Sequence, residues 1–89
     1  MRQVLLSHTA KRQLEALPTK ERRRVVKALL LLGDDPLRPR PGADIKKLEG
    51  TDPPKYRLRV ADWRAVYFVE SREVRIIEVF RRGRGYRVE

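Results

Sequence analysis

The sequence contains no cysteine and a single histidine, His8, among its 89 residues. Without cysteine the chain can form neither disulfide bonds nor a thiolate metal site, and one histidine cannot build a zinc site unaided. No apolar run approaches the ~20 residues that cross a bilayer, and residues 1–3 begin no signal-peptide pattern. From these absences we expect a cytoplasmic protein that has no metal ion, no cofactor and no membrane partner.

Acidic residues are also scarce, because 12 Asp and Glu stand against 22 Lys and Arg and leave a net charge of +10. Such a balance favours a polyanionic partner such as nucleic acid, an acidic membrane surface or an acidic protein. Genome bias or thermal adaptation could also enrich arginine, with the charge merely solvating the surface. The position of the charge favours a partner, since one short acid-free segment holds Arg81, Arg82, Arg84 and Arg87. Ordinary solvated surfaces mix both signs.

The length of the chain predicts one domain, residues 1–89, with a single small core. A short strand is predicted over Gln3–Leu6, followed by a helix that Ser7 or Thr9 caps and Pro18 ends. His8, at the start of this helix, is expected to be a cap-region or surface residue. Because the connection at Pro18 is short, the next helix should return antiparallel to the first.

The second helix is predicted to begin at a cap, Thr19, and to run to about Leu32, with Gly33 just past its end. The run Leu29–Leu32 is apolar on more sides than one core face requires. It fits a deeply buried helix end or a docking surface for a partner helix. Asp35, in the proline-rich connection that follows, is interpreted with its neighbour Asp34 as a turn residue rather than as half of a catalytic pair.

The remaining residues predict sequential antiparallel strands, which with the helical hairpin on one face of the sheet make an α+β fold. The predicted strands are Ile45–Leu48, Lys55–Val60, Trp63–Glu70 and Val74–Phe80. Because side chains alternate across a strand, Leu58 should pack on the helices while Arg57 and Arg59 project from the opposite face. We place Arg64 and Arg82 on that face as well. Its apolar part is predicted to comprise Val66, Phe68, Ile76 and Phe80, which would suit stacked bases beside charged phosphates.

Between Lys47 and Tyr86 the sequence resembles the RelE/ParE toxin superfamily, and the RelE branch most. The motifs are Lys-Leu-Glu-Gly at 47–50, Tyr-Arg-Leu-Arg-Val at 56–60, Asp-Trp-Arg-Ala-Val-Tyr at 62–67 and Val-Phe-Arg-Arg at 79–82, with Tyr86 beyond. The resemblance implies a β-α-α-β-β-β fold and a type II toxin that cuts mRNA in the ribosomal A site. It also implies a cognate RelB-like acidic antitoxin, which wraps the toxin in a hetero-oligomer.

The resemblance also implies roles for single residues. Arg64 would contact the scissile phosphate, Arg82 would stabilise it and protonate the leaving group, and Tyr86 would be the general base. Arg57 and Arg59 fall where relatives place basic residues, often lysines. Further contacts with mRNA or ribosomal RNA are expected from Arg81, Arg84, Arg87, Lys46, Lys47 and Lys55.

The implied reaction is attack of an RNA 2′-OH on the adjacent phosphate, which needs a base, cations and an acid. A tyrosine titrates near ~10, and nearby arginines favour its charged form. Arginine, with a pKa above ~12, is a poor proton donor, so the firmer role of Arg82 is to stabilise charge in the transition state. Such a set is strong in electrostatics and weak in proton transfer. It fits an enzyme that needs the ribosome to hold its mRNA in line.

The sequence departs from the family pattern at two places. Arginine at Arg57 and Arg59 keeps the charge but makes proton transfer there implausible. Ala61 stands at a turn where relatives often have glycine, so we expect the turn to be reshaped. Among neighbouring residues, Glu78 is expected to pair with an arginine of the open face, and Trp63 to pack in the core or stack on a base.

Two alternative functions stay open. The first is a toxin of the ParE branch, which has the same fold but inhibits DNA gyrase without nuclease activity. Arg64, Arg82 and Tyr86 together favour the nuclease, because ParE relatives generally lack the complete set. The second is a basic RNA-binding module, which would bind with steep salt dependence and leave no cut ends.

Overall fold

The computed structural model describes residues 1–83, which form one five-stranded sheet and two helices. Their bounds are β1 Gln3–Leu6, α1 His8–Glu15, α2 Thr19–Asp34, β2 Asp44–Lys47, β3 Tyr56–Val60, β4 Trp63–Val69 and β5 Glu73–Arg81. The strand order is β1-β5-β4-β3-β2, with β1 parallel to β5 and the other neighbours antiparallel. The predicted α+β fold is confirmed, and the strand bounds differ from the predicted ones by no more than one residue at either end. Within residues 1–83, neither helix reaches the length and hydrophobicity that a bilayer span requires.

Helix α1 begins at a serine cap and also covers part of the edge of β5. The Ser7 hydroxyl accepts a hydrogen bond from the Ala10 N–H at 2.9 Å, which decides between the two predicted caps. It donates in turn to the Ile77 carbonyl at 2.6 Å. Farther along the helix, Gln13 Oε1 accepts the Val79 N–H at 2.6 Å. Because β1 ends before this part of β5, the helix satisfies backbone groups that would otherwise form an open sheet edge.

The predicted ends of α2 are wrong at both sides. The helix begins at Thr19 itself, and the preceding cap residue, Pro18, has no side-chain hydrogen bond to offer. At the other end the helix runs through Gly33 to Asp34. Gly33 serves close packing here, since a Cβ built on it would lie 2.9 Å from the Arg2 carbonyl oxygen. The Arg2 N–H donates to the Gly33 carbonyl at 2.9 Å, which joins β1 to the helix end.

The leucine run of α2 is divided between core and solvent. Leu29 and Leu32 are buried in the main core, whereas Leu30 is 62% exposed. Just beyond the helix, Asp35 Oδ1 accepts the N–H groups of Leu37 and Arg38 at 3.0 and 3.2 Å. These two bonds hold the pKa of the Asp35 carboxyl below its usual value, and they confirm Asp35 as a turn residue.

A bulge in the sheet corrects one predicted face. The register between β4 and β5 shifts after Val66, so that Val66 pairs with Glu78 while Tyr67 pairs with Ile76. The extra residue, Ile77, reverses the alternation on one side of the bulge. Our placement of Ile76 on the open face is therefore wrong, because its side chain is buried in the core with the helices.

Tyr67 is a fully buried side chain of this core. Its hydroxyl donates to the Pro36 carbonyl at 2.6 Å, which ties the long connection after α2 to the sheet. Burial is the main cause of a raised pKa of the Tyr67 phenol, because the charged form loses its hydration.

Alkaline pH is expected to destabilise the protein through Tyr67. Since the pKa of Tyr67 is higher folded than unfolded, its contribution to stability is complete below pH ~10 and is lost as the pH rises further. Urea denaturation of the wild type should show a falling free energy of unfolding above this pH. The Tyr67→Phe variant should start less stable at neutral pH and lose less on the same titration. An equal loss in both proteins would contradict the assignment.

Candidate functional site

Three arginines from two paired strands share the sheet face that lies away from the helices. In the β3–β4 register Arg59 is directly opposite Arg64, and Arg57 is opposite Val66. Leu58, between the two β3 arginines, is 0% exposed and packs in the helix-covered core. This alternation places Arg57 and Arg59 on the opposite face, as predicted. The charge of Arg82 also acts on Arg64, and these four residues define the arginine face: Arg57, Arg59, Arg64 and Arg82.

Arg64 is the arginine on which the other charges of the face act. Its Nη1 donates to the carbonyls of Ala61 and Trp63, both at 3.0 Å, which fixes the guanidinium beside the β3–β4 turn. The pKa of Arg64 is lowered, first by partial burial and then by the charges of Arg59, Arg57 and Arg82. The cluster therefore repels itself, and a bound anion would relieve that repulsion.

The β3–β4 turn connects the two arginines with the proposed chemical roles. The Asp62 carbonyl accepts the Arg82 N–H at 2.6 Å, so the backbone that precedes Arg64 also holds the end of β5. Ala61, in the same turn, has a φ of +52°. Alanine here adopts the left-handed conformation that glycine reaches at little cost, so the turn keeps that conformation and bears the strain.

Ala61→Gly is expected to stabilise the protein by about 0.5 kcal/mol, because it removes the Cβ strain but adds freedom to the unfolded chain. Chemical denaturation of the two proteins measures the difference. Ala16→Gly is the matched control, because Ala16 is also exposed but has an ordinary φ of −79°. That control should lose up to about 1 kcal/mol. Destabilisation by both substitutions alike would contradict strain at Ala61.

One acidic residue, Asp44, enters the arginine face from β2. Its Oδ1 lies 3.5 Å from Arg57 Nη2, and its Oδ2 lies 3.6 Å from Arg59 Nε. Lys46, two residues along the strand, is opposite Arg57 and adds a positive charge to the same side of the sheet. The sequence analysis missed Asp44 because the predicted strand began at Ile45, one residue after the start of β2. An alternation counted from Asp44 would have found it.

The apolar part of the arginine face is less exposed than predicted. Val66 is fully buried and Phe80 nearly so, although neither belongs to the core cluster beneath the helices. Their direct cross-strand partners are Arg57 and Arg64. Paired side chains lie close together in antiparallel sheets, and arginine stems can cover apolar surface. The prediction that Val66 and Phe80 are available to stack on bases is therefore wrong, and guanidinium groups dominate this part of the surface.

Two other basic candidates, Arg81 and Lys47, lie on the helix side of the sheet, whereas Lys55 lies just before β3. Arg81 is opposite Trp63, and its guanidinium lies 5.8 Å from the centre of the indole ring. Trp63 packs against the core, and its Nε1 donates to Glu21 Oε2 at 3.1 Å, which favours the packing interpretation. Lys47 is opposite Tyr56, on the helix side of the sheet, and Lys55 directly precedes β3.

Glu78 does not form the predicted ion pair with an arginine of the described residues. Its Oε1 instead accepts a hydrogen bond from Gln13 Nε2 at 3.3 Å, because α1 covers this edge of the sheet. His8 is an exposed residue at the start of α1, as expected. Three candidates lie outside the described residues: Arg84, Tyr86 and Arg87.

A family comparison agrees with the fold. Residues 4–86 match the model of the ParE toxin of the type II toxin–antitoxin system parDE. The chain belongs to the RelE/ParE superfamily of toxins from type II toxin–antitoxin systems, and the predicted resemblance is confirmed. A comparison with curated proteins finds no match by sequence.

Several solved structures share the fold. A chain of the archaeal RelE–RelB complex from Pyrococcus horikoshii OT3 is 31% identical, with a TM-score of 0.78 over 94% of this chain and 98% of that one. A chain of the RelBE2 toxin–antitoxin complex from Mycobacterium tuberculosis is 26% identical, with a TM-score of 0.75 over 91% and 98%. The isolated RelE toxin of E. coli is 21% identical, with a TM-score of 0.77 over 96% and 88%, a likeness of fold alone.

Proposed function

We propose that this toxin is an endoribonuclease that cleaves mRNA in the A site of the ribosome and thereby inhibits translation in the cytoplasm. The observation that carries the proposal is the β3–β4 register, which places Arg59 directly opposite Arg64 and Arg57 on the same face of the sheet. The pKa of Arg64, lowered first by partial burial and then by the charges of Arg59, Arg57 and Arg82, agrees with this arrangement. A strand-supported cluster of guanidiniums is a suitable receptor for phosphate, because each one offers several donors in fixed geometry.

In the proposed reaction the RNA 2′-OH attacks the adjacent phosphate, loses its proton to the base and expels the 5′ oxygen, which takes up a proton and leaves as a 5′-OH. The product is a 2′,3′-cyclic phosphate, which water can open to a 3′-phosphate. Arg64, held by the β3–β4 turn, would donate to the phosphate oxygens as negative charge develops. Arg82 would stabilise the same charge and assist the departing 5′ oxygen. Arg57 and Arg59 would hold the nucleotide strand through its phosphates. Tyr86 is proposed as the base, and no proposed role requires a metal ion.

The proposed partner in the resting cell is a cognate antitoxin that is RelB-like, acidic and wrapped around the toxin in a hetero-oligomer. Two of the similar structures come from toxin–antitoxin complexes, the RelE–RelB complex of Pyrococcus horikoshii OT3 and the RelBE2 complex of Mycobacterium tuberculosis. The net charge of +10 makes an acidic partner favourable. An antitoxin segment over the arginine face would compete directly with RNA.

The alternative is an inhibitor of DNA gyrase without nuclease activity, and the match to the ParE family model favours it. Induced expression separates the two functions. The nuclease should stop amino-acid incorporation first and produce new mRNA ends inside codons. The gyrase inhibitor should stop DNA synthesis first and should inhibit supercoiling by purified gyrase. Binding of RNA with neither effect would leave a binding module and contradict the nuclease.

A further inference from the structure

The arginine face contains an anion of its own. Asp44 is exposed at the start of the edge strand β2, directly opposite Arg59. Each of its carboxylate oxygens approaches a different arginine, at 3.5 Å from Arg57 Nη2 and at 3.6 Å from Arg59 Nε. The carboxylate therefore lies where a bridging phosphate would meet these two guanidiniums. Its charge also favours the protonated form of Arg64.

These contacts are suited to exchange. Both ion pairs are long, and the Asp44 side chain is 55% exposed, so solvent screens them. Arg57 Nε is buried and has no acceptor among the described residues, while Nη2 of the same group faces Asp44. The conformation paired with Asp44 thus leaves a strong donor unsatisfied. A ligand that reorients the Arg57 guanidinium could satisfy that donor.

We propose that Asp44 competes with RNA phosphate within the toxin itself. The Asp44 carboxylate occupies Arg57 and Arg59 in the free toxin, and RNA phosphate displaces it on binding. The inference rests on the proposed function in that the arginine face is taken to bind RNA. Asp44 neutralises part of the face in the absence of substrate. It therefore lowers the affinity for any polyanion whose phosphate must replace the carboxylate between these two arginines.

The variant Asp44→Asn tests this exchange, with Asp44→Ser as a second variant of smaller volume. The probe is a short single-stranded RNA with 2′-O-methyl groups, which has no free 2′-OH and cannot be cut by the proposed reaction. Glu70→Gln is the matched control, because Glu70 is an exposed acid beyond the far end of β4 from Arg64 and its loss changes the net charge equally. Circular dichroism establishes that each variant is folded.

Both Asp44 variants are expected to bind the probe about fivefold more tightly than the wild type, and Glu70→Gln less than about twofold. The slope of log affinity against log salt should steepen by up to about 0.7 for Asp44→Asn, since the phosphate no longer exchanges with a carboxylate. Equal effects of Asp44→Asn and Glu70→Gln would overturn the proposal. Weaker binding by the Asp44 variants would also overturn it, because Asp44 would then position the arginines.

Cleavage on ribosomes is measured separately with the same proteins. If the wild type cuts mRNA while Asp44→Asn binds the probe no better than Glu70→Gln, the competitor role of Asp44 is refuted and the nuclease function is supported. If none of these proteins cuts mRNA while Asp44→Asn binds the probe more tightly, the competitor role of Asp44 is supported and the nuclease function is refuted.

Discussion

Arg64→Ala is expected to slow cleavage of ribosome-bound mRNA by about 10²–10³-fold, the usual effect of removing one donor that stabilises transition-state charge. The folded state should retain its thermal midpoint, because the substitution removes a guanidinium that three neighbouring arginines, Arg57, Arg59 and Arg82, repel. Its two acceptors, the carbonyls of Ala61 and Trp63, lie at a surface turn where water can replace the lost bonds. Single-turnover cleavage on programmed ribosomes measures the rate.

Two further variants make the Arg64 result specific. Arg64→Lys keeps the charge but loses the forked donor geometry, so its rate should fall between those of the wild type and Arg64→Ala. Arg75→Ala removes an exposed arginine that pairs with Glu73 elsewhere on the same sheet and should leave the rate unchanged. A folded Arg64→Ala protein with the wild-type rate would refute the proposed role of the arginine face.

Leu58→Ala is expected to destabilise the protein by about 3 kcal/mol, because it leaves a cavity in a core that excludes water. Leu58 is fully buried in the centre of the core, on a strand whose neighbouring side chains are arginines. A chain of this size has little stability to spare, so a sizeable fraction of the variant should unfold at the growth temperature. Equilibrium urea denaturation of purified protein provides the free energy of unfolding.

The adjacent substitution, Arg59→Ala, is the control for Leu58→Ala. Arg59 is exposed and, among residues 1–83, its side chain makes a single long contact, with Asp44, so its loss should change stability by less than about 0.5 kcal/mol. Substitution of Leu58 would then affect folding, whereas substitution of its neighbour Arg59 would affect RNA binding. Comparable destabilisation by both would contradict the assignment of faces on β3.

The strands and the helical hairpin follow from local patterns, which is why the sequence predicts them closely. Alternation in Tyr56–Val60 is enough to separate Leu58 from Arg57 and Arg59. Features that depend on distant contacts were not predictable in this way. Gly33 lies within α2, where the nearby Arg2 carbonyl leaves no room for a Cβ, and nothing near Gly33 in the sequence signals that approach.

The same limit applies to the candidate site. Ile76 was placed on the wrong face because a bulge is decided by pairing between strands, not by the alternation within one strand. Glu78 found an amide partner rather than an arginine because α1 covers the end of β5, a tertiary arrangement. Asp44 was missed because the preceding proline-rich connection hides where β2 begins. The arginines themselves were predictable, since three of them stand on clearly alternating strands.

The most direct test uses purified ribosomes stalled with a defined codon in the A site and an mRNA labelled at its 5′ end. Wild-type toxin should cut within that codon and leave a 5′-OH on the downstream fragment, whereas the same mRNA without ribosomes should stay intact. Arg64→Ala at the same concentration should leave the ribosome-bound mRNA largely uncut. Intact mRNA with active wild-type toxin, defined as toxin that arrests growth, would contradict the nuclease and direct attention to DNA gyrase.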